Sequence, residues 1–339
     1  MSTQFKNRAF GCVIVKSLNS NYNADFTSQP RTLPDGVVYA TDKVLKYSVR
    51  NFMKKAYPDD KVFFFKSLDD NMQPRTLLEN YKQSFGIKDL PKVDKKDEGK
   101  ARKEVAKNLL SCLDVRLFGA TFAPKAGSEK GDDAEGGEDK KEKKEDGAKS
   151  LNISIHGAVQ ITHGVNRFPK NEIYSEQIMA PFRNPNDKNT DSTMTTLGSQ
   201  SKLKEGHYVH HFSINPNNID ELVQLSGGTP LSTDDVVKLK AGLSRGVTLY
   251  DSAAKAGTEN ELMLYVQLKE GSFLVLPSFV RLIDIKNDEK RTINLSRVSE
   301  LLAQPQVKAA VEKIELYYDK TATTVENAPE GAIIQPINA

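Results

Sequence analysis

The chain has 339 residues, 38% hydrophobic and 27% charged, with a formal net charge of +3 at pH 7. These values describe a soluble globular protein large enough for one large domain or two ordinary ones, and they exclude a disordered, collagen-like or strongly polybasic chain. Two cysteines outside any CxxC pair exclude a disulfide framework and make a structural zinc site a poor expectation. The N-terminus lacks a signal-peptide core, and no apolar run reaches about 20 residues, so the expected location is the cytoplasm.

In chain order, the apolar run Ala9–Val15 predicts a buried strand leading through Lys16 into a polar loop with Asn19, Ser20, Asn21, Tyr22, Asn23 and Asp25. Asp42–Ala56 has apolar residues at helical spacing (Val44, Leu45, Val49, Phe52, Met53), with basic residues on the other side and Pro58 past its end. Further helices are expected at Arg75–Phe85 and Lys100–Cys112. Strands are expected at Asp114–Phe122 and Leu151–Ile161, flanking a Lys/Glu/Asp/Gly tract, residues 124–150, that cannot bury enough apolar surface to order itself. The turn-rich stretch 172–206 suggests a protruding hairpin or arm, returning in a strand at His207–Ile214. Then come a helix at Ser232–Leu249 begun by Ser232 and Asp235 as a capping box, a strand at Glu261–Leu268, an apolar Phe273–Ile285, two short helices around 297–302 and 307–313, and a strand at Lys313–Tyr318. No internal repeat is expected. Strands and helices alternate without a steady βαβ rhythm, so the expected fold is a single α+β domain of the ferredoxin or RNA-recognition type.

The chemistry is thin on enzyme signatures. There is no Walker loop, GxGxxG, GxSxG or HExxH, so no cofactor is expected. His207, His210 and His211 alternate within a strand, which puts His207 and His211 on one face and His210 on the other, with no carboxylate inside the cluster, so a metal site is not expected. The basic side of the first helix, with Arg50, Lys54 and Lys55, is either a solvated face or a phosphate contact. Arg116–Phe122 (RLFGATF) echoes the rhythm of an RNA-reading strand without its register. In the arm, Met179, Phe182, Met194 and Leu197 suit packing on a neighbour or wedging between bases, with Arg167, Lys170 and Arg183 nearby for phosphates.

FGCVIVKSLNSNYNAD, VRLFGATFA, ISIHGAVQITHGVNRF, EQIMAPFRNP and TLGSQSKLKEGHYVHHFSINP, in that order, resemble the crRNA-binding backbone subunit of type I CRISPR Cascade complexes, the seventh Cas family of the RAMP superfamily, in its subtype I-B or DevR-like branch. The resemblance spans most of Phe10 to Pro216. It implies a modified RNA-recognition-motif palm, a mainly helical finger at residues 42–112, and a thumb hairpin at 165–207. The charged tract 124–150 lies outside the family's common pattern. Carried over by position, the implied RNA contacts are Lys16, Asn19, Ser20, Asn21 and Tyr22, then Arg50 and Lys54, then Arg167 and Arg183, with Met179 and Met194 as candidate thumb wedges. The implied role is a non-catalytic subunit that polymerises along guide crRNA and presents its bases to target DNA. Its implied partners are the guide, further copies of itself, and the large, small, 5′-handle-capping and crRNA-processing subunits, with no membrane. Two other readings remain: a guide-directed RNase of the type III kind using Asp25 (Asp35 lies in the same region), and a stand-alone single-stranded RNA-binding protein.

Overall fold

The computed structural model describes residues 3–90, 98–124, 151–183 and 194–338; of residues 179–183 and 194–197 it describes the backbone only. Residues 125–150 of the charged tract, and the side chains of Met179, Arg183 and Met194, lie outside the described residues. The chain forms two compact units, one of residues 1–6, 53–160 and 214–239, the other of residues 7–52, 161–213 and 240–339.

The second unit holds the sheet. Along its path the strands run in the order 333–335, Val311–Tyr318, Thr258–Leu268, Ala9–Ser20, Met194–Ile214, 164–166 and 39–40, and Ile173–Arg183 pairs with Met194–Ile214 off that path. The first strand lies antiparallel to Thr258–Leu268, with Cys12 opposite Leu264, and that strand lies antiparallel to Val311–Tyr318. It runs to Ser20, five residues beyond the apolar run that predicted it. It is buried on both faces. Phe10, Cys12 and Ile14 enter a core with Leu262, Leu264, Val266, Ile314, Leu316 and the C-terminal Leu276, Phe279, Ile283, Leu295 and Val298. The opposite face is covered by the helix Thr233–Leu249, whose Ser244 hydroxyl approaches Met263 Sδ at 3.6 Å and whose Leu243 carbonyl accepts from Asn260 at 2.8 Å. Burial pushes the Cys12 thiol up to about 12, so it stays a protonated filler of the core.

The helix Asp42–Ala56 has the predicted bounds, with Leu45, Val49, Phe52 and Met53 buried. The helix Thr233–Leu249 opens as expected: Asp235 N donates to Ser232 Oγ at 3.1 Å and Ser232 N to Asp235 Oδ2 at 3.0 Å. The long arm is a hairpin in which Ile173 pairs with Leu203 and Ile178 with Gly198, and its return strand continues without a break to Ile214. His207 and His211 do share a face, with His210 on the other.

The first unit is mainly helical, with helices at Leu77–Phe85, Glu98–Leu110, Leu113–Phe118 and Asn217–Ser226. Several expectations fail here. Leu113–Phe118 is a fully buried helix, so the strand is reduced to Ala120–Phe122. Arg116 is 7% exposed and its guanidinium forks onto Asp235 at 2.8 and 2.7 Å, so it reads no RNA. Asp114 holds the helix in place by accepting from Phe63 N and Phe64 N at 2.8 and 2.9 Å. A short apolar run does not separate a buried helix from a buried strand. The helix Asn217–Ser226 was not expected; Pro216 before it and left-handed Gly227 after it are its boundary signals. Residues 151–161 form two short strands rather than one. Ile153–Ile155 pairs antiparallel with Ala120–Phe122, as two flanks of an insertion should. The break falls where Gly119 and Gly157 meet: a Cβ on Gly119 would lie 2.1 Å from Ile155 O, and one on Gly157 would lie 2.2 Å from Gly119 N.

Candidate functional site

Because both faces of the first strand are covered, no base can lie across it as on an open RNA-recognition sheet. What remains available is the strand's far end. Ser17 Oγ meets Ser20 Oγ at 2.7 Å, and Ser20 Oγ meets Thr258 Oγ1 at 3.0 Å, all three buried. Asn21 is 3% exposed and its amide donates to Ser28 O at 3.2 Å and Ser201 O at 3.1 Å, joining the segment to its own loop and to the base of the hairpin. Tyr22 is 0% exposed, edge-on to Tyr208 at 5.2 Å between centroids, with its hydroxyl 3.4 Å from His210 Nε2. His210 Nδ1 lies 3.0 Å from Thr162 O and donates to it, which leaves Nε2 to accept from the tyrosine. Burial lowers the imidazoles of His210 and His211 to about 4, so both are neutral at pH 7.

Of the residues expected to hold RNA in this stretch, Ser20, Asn21 and Tyr22 therefore face inward. Lys16 and Asn19 face outward. Lys16 reaches Glu259 at 3.3 Å, with side-chain exposures of 17% and 50%. Asn19 takes a left-handed backbone, φ 48°, and its Oδ1 accepts from Tyr174 OH on the hairpin at 3.1 Å. Lys54 is exposed, its ammonium 5.0 Å from the Phe65 ring, whereas Arg50 is 8% exposed. Arg167 is tied to the C-terminal segment, donating to Ile283 O and Asp284 Oδ1, each at 3.1 Å. Asp25 Oδ1 accepts from Thr27 N, Thr27 Oγ1 and Gln29 N at 2.8, 2.8 and 3.0 Å. The Thr27 hydroxyl, followed by the Gln29 amide, holds its pKa below the usual value. Asp35 Oδ1 accepts from Val37 N at 3.2 Å in the next turn. Both aspartates are turn formers. Among the described residues no group of three or more His, Cys, Asp or Glu side chains is placed to hold a metal.

Lys255 was not anticipated. Its ammonium donates to the Tyr22 carbonyl and lies 5.5 Å from that tyrosine's ring. Around it the loop 252–258 is laced to the first strand through Leu18 N to Gly257 O at 2.9 Å and Asn21 N to Ala254 O at 2.7 Å. Burial lowers Lys255 to about 8. A single lysine in an Ala-Lys-Ala context gives no sequence signal; its role follows from strand pairing across more than 230 residues. A second feature did have a signal. The pentapeptide QPRTL occurs at residues 29–33 and again at 73–77, a short repeat where none was expected.

The class defined by this arrangement is an α+β protein with a large, mostly antiparallel sheet whose first strand is covered on both faces and ends in a polar loop beside a hairpin. A family model described as CRISPR-associated protein Cas7 matches residues 7–300, and the chain belongs to that family. Among solved structures, a chain of a "CRISPR RNA-guided surveillance complex, pre-nicking" shares the fold at 15% identity and a TM-score of 0.53, covering 97% of this chain and 96% of that one. A chain of another CRISPR RNA-guided surveillance complex aligns at 13% identity with a TM-score of 0.46, over 95% of each chain. No curated protein matches the chain in sequence. No helix among the described residues is long and apolar enough to cross a membrane.

Proposed function

We propose that the protein is a non-catalytic backbone subunit of a type I CRISPR surveillance complex, polymerising along guide crRNA with further copies of itself and the other Cascade subunits in the cytoplasm. The observation that carries this reading is the family match across residues 7–300. The sheet unit supplies the RNA-recognition-like palm, residues 42–112 the finger, and residues 165–207, with the paired strands that begin at Ile173 and Met194, the thumb. Lys16 and Asn19 at the end of the first strand meet the guide's phosphates and 2′-hydroxyls, while Ser20, Asn21 and Tyr22 hold that strand end in shape from beneath. Lys54 is a further phosphate contact. Arg183, Met179 and Met194 are assigned to the thumb's guide contact on the family resemblance. Arg167 acts by anchoring the thumb's root to Asp284.

The RNase reading is disfavoured by Asp25, whose Oδ1 accepts from Thr27 N, Thr27 Oγ1 and Gln29 N within its own turn. The test is expression with a guide. The chain is expected to purify as an RNA-containing oligomer, and Lys54→Ala is expected to lower the slope of log affinity against log salt by about one. A monomer free of RNA would overturn the reading, as would magnesium-dependent cuts in complementary RNA that Asp25→Ala abolishes.

A further inference from the structure

The repeated pentapeptide belongs to a turn built twice. In each copy an aspartate stands four residues before the glutamine, Asp25 before Gln29 and Asp69 before Gln73. Asp25 N donates to Gln29 O and Asp69 N to Gln73 O, both at 2.8 Å. Asp25 Oδ1 accepts from Thr27 N and Gln29 N at 2.8 and 3.0 Å, and Asp69 Oδ1 from Asn71 N and Gln73 N at 2.9 and 2.7 Å. Ser28 and Met72 occupy the same left-handed position, φ 64° and 60°. Ala24 bridges to Pro30 and Leu68 to Pro74, and the arginine that follows donates back to Ala24 O or Leu68 O.

The shared aspartate and arginine are thus consumed in holding the turn, and Pro30 or Pro74 closes it. What differs is the load carried between them: Phe26, Thr27 and Ser28 in one copy, Asp70, Asn71 and Met72 in the other. In the first copy the load is an aromatic ring left wholly in water, for Phe26 is 102% exposed. The turn presenting it is fixed to the body: Asn21 donates to Ser28 O at 3.2 Å, Arg31 N to Asn23 O at 3.2 Å, and Asn23 Oδ1 accepts from Thr41 N at 2.9 Å. The Arg31 guanidinium carbon lies 6.0 Å from the ring centroid. Around Phe26 the turn itself is polar, with Asp25, Thr27, Ser28, Gln29 and Arg31 beside it in sequence. A protein-docking patch would need contiguous apolar surface. One rigidly held aromatic beside a guanidinium suits the flat face of an unpaired base, because every base has a π-face and its phosphate carries the complementary charge.

We propose that Phe26 is a base-stacking platform for single-stranded RNA, carried on a rigid turn that leaves the guide-holding strand end. This rests on the guide-binding reading above and moves the aromatic contact from Tyr22, an implied RNA contact that is buried, to a residue four positions on.

The chain has no tryptophan, so Phe26→Trp introduces a single fluorescent reporter that a stacked base quenches. The probe is single-stranded RNA of the guide's sequence added to the full chain, with binding followed separately by gel retardation. Quenching of Phe26→Trp on binding is expected, with Phe273→Trp, at a site 83% exposed, unquenched. Phe26→Ala is expected to bind roughly tenfold more weakly with an unchanged Tm, the order of one lost stacking contact. Retarded RNA with unchanged Phe26→Trp emission, or an unchanged affinity of Phe26→Ala, overturns the platform. So does an emission change that depends on protein concentration without RNA, since the ring would then pack on another copy. If the unsubstituted chain itself fails to retard RNA, the guide-binding reading falls and takes the platform with it.

Discussion

Two parts of the sheet unit are both polar in sequence and are held in opposite ways. In Ser17–Tyr22 the side chains of Ser17, Ser20, Asn21 and Tyr22 are buried and hydrogen-bonded, Ser17 to Ser20, Ser20 to Thr258, the Asn21 amide nitrogen to Ser28 and Ser201, and Tyr22 to His210, with Asn21 Oδ1 left unpaired. The hairpin strands Ile173–Arg183 and Met194–Ile214 are zipped by backbone pairing, and near their root surface ion pairs join Glu172 with Lys204 at 2.8 Å and Glu176 with Lys202 at 3.1 Å. A buried network loses the full desolvation cost of whatever it leaves unpaired, whereas exposed ion pairs are nearly free to exchange with water. The first segment therefore fixes a shape and the second offers a surface. In a protein that lays a polymer along itself, a fixed strand end beside an adaptable arm lets the contacts of one copy repeat in the next.

The comparison breaks most visibly at Tyr22. Its ring is among the largest fully buried side chains, packed on Tyr208 and His210. Tyr22→Ala is expected to cost about 3–5 kcal/mol, the range for deleting a buried aromatic ring, read as a lowered urea midpoint with unchanged slope. A loss below about 1 kcal/mol would mean that the strand end is not locked and that Tyr22 is available to RNA after all.

Tyr22 also marks where sequence stops being informative. Its burial is decided by Tyr208 and His210, which sequence places in a strand but not opposite this loop. The helix Asp42–Ala56 and the cap made by Ser232 and Asp235 were legible because their signals are local, in apolar spacing and a three-residue hydrogen-bond pair. Leu113–Phe118 was not, because Asp114 and Arg116 acquire their partners, Phe63, Phe64 and Asp235, from 50 and more residues away. The strand order of the sheet is likewise set by long-range pairing. The twin turns carry a five-residue signal, QPRTL, that the expectation of no internal repeat passes over.

Acid is the next probe. His210 is lowered to about 4 by burial and titrates near 6.5 when unfolded, so between these values the unfolded chain binds more protons. Stability is then fully present above pH 6.5 and is lost as the pH falls toward 4. His211, lowered to about 4 by the same cause, acts in the same window. By pH 5 the expected loss is about 1–2 kcal/mol for each histidine, measured as urea stability at pH 7, 6 and 5. His210→Gln should flatten part of that decline; an unaltered slope would show that the ring is charged in the folded state and that its Nε2 does not accept from Tyr22.

The smallest effect is expected on the hairpin. Lys202 reaches both carboxylate oxygens of Glu176, at 3.1 and 3.3 Å, with side-chain exposures of 20% and 44%. Lys202→Ala should change stability by less than about 1 kcal/mol, and roughly 0.5 M salt should remove most of even that difference, because about 4 Å of Debye length leaves little of an exposed pair's attraction. The same unfolding measurement that registers Tyr22→Ala should scarcely register this substitution. A cost comparable to that of Tyr22→Ala, persisting in salt, would mean that the hairpin's charges are bound into the fold no less firmly than the buried serines and asparagine. The arm would then be a rigid strut, and its exposed cations would no longer be free to follow an RNA backbone.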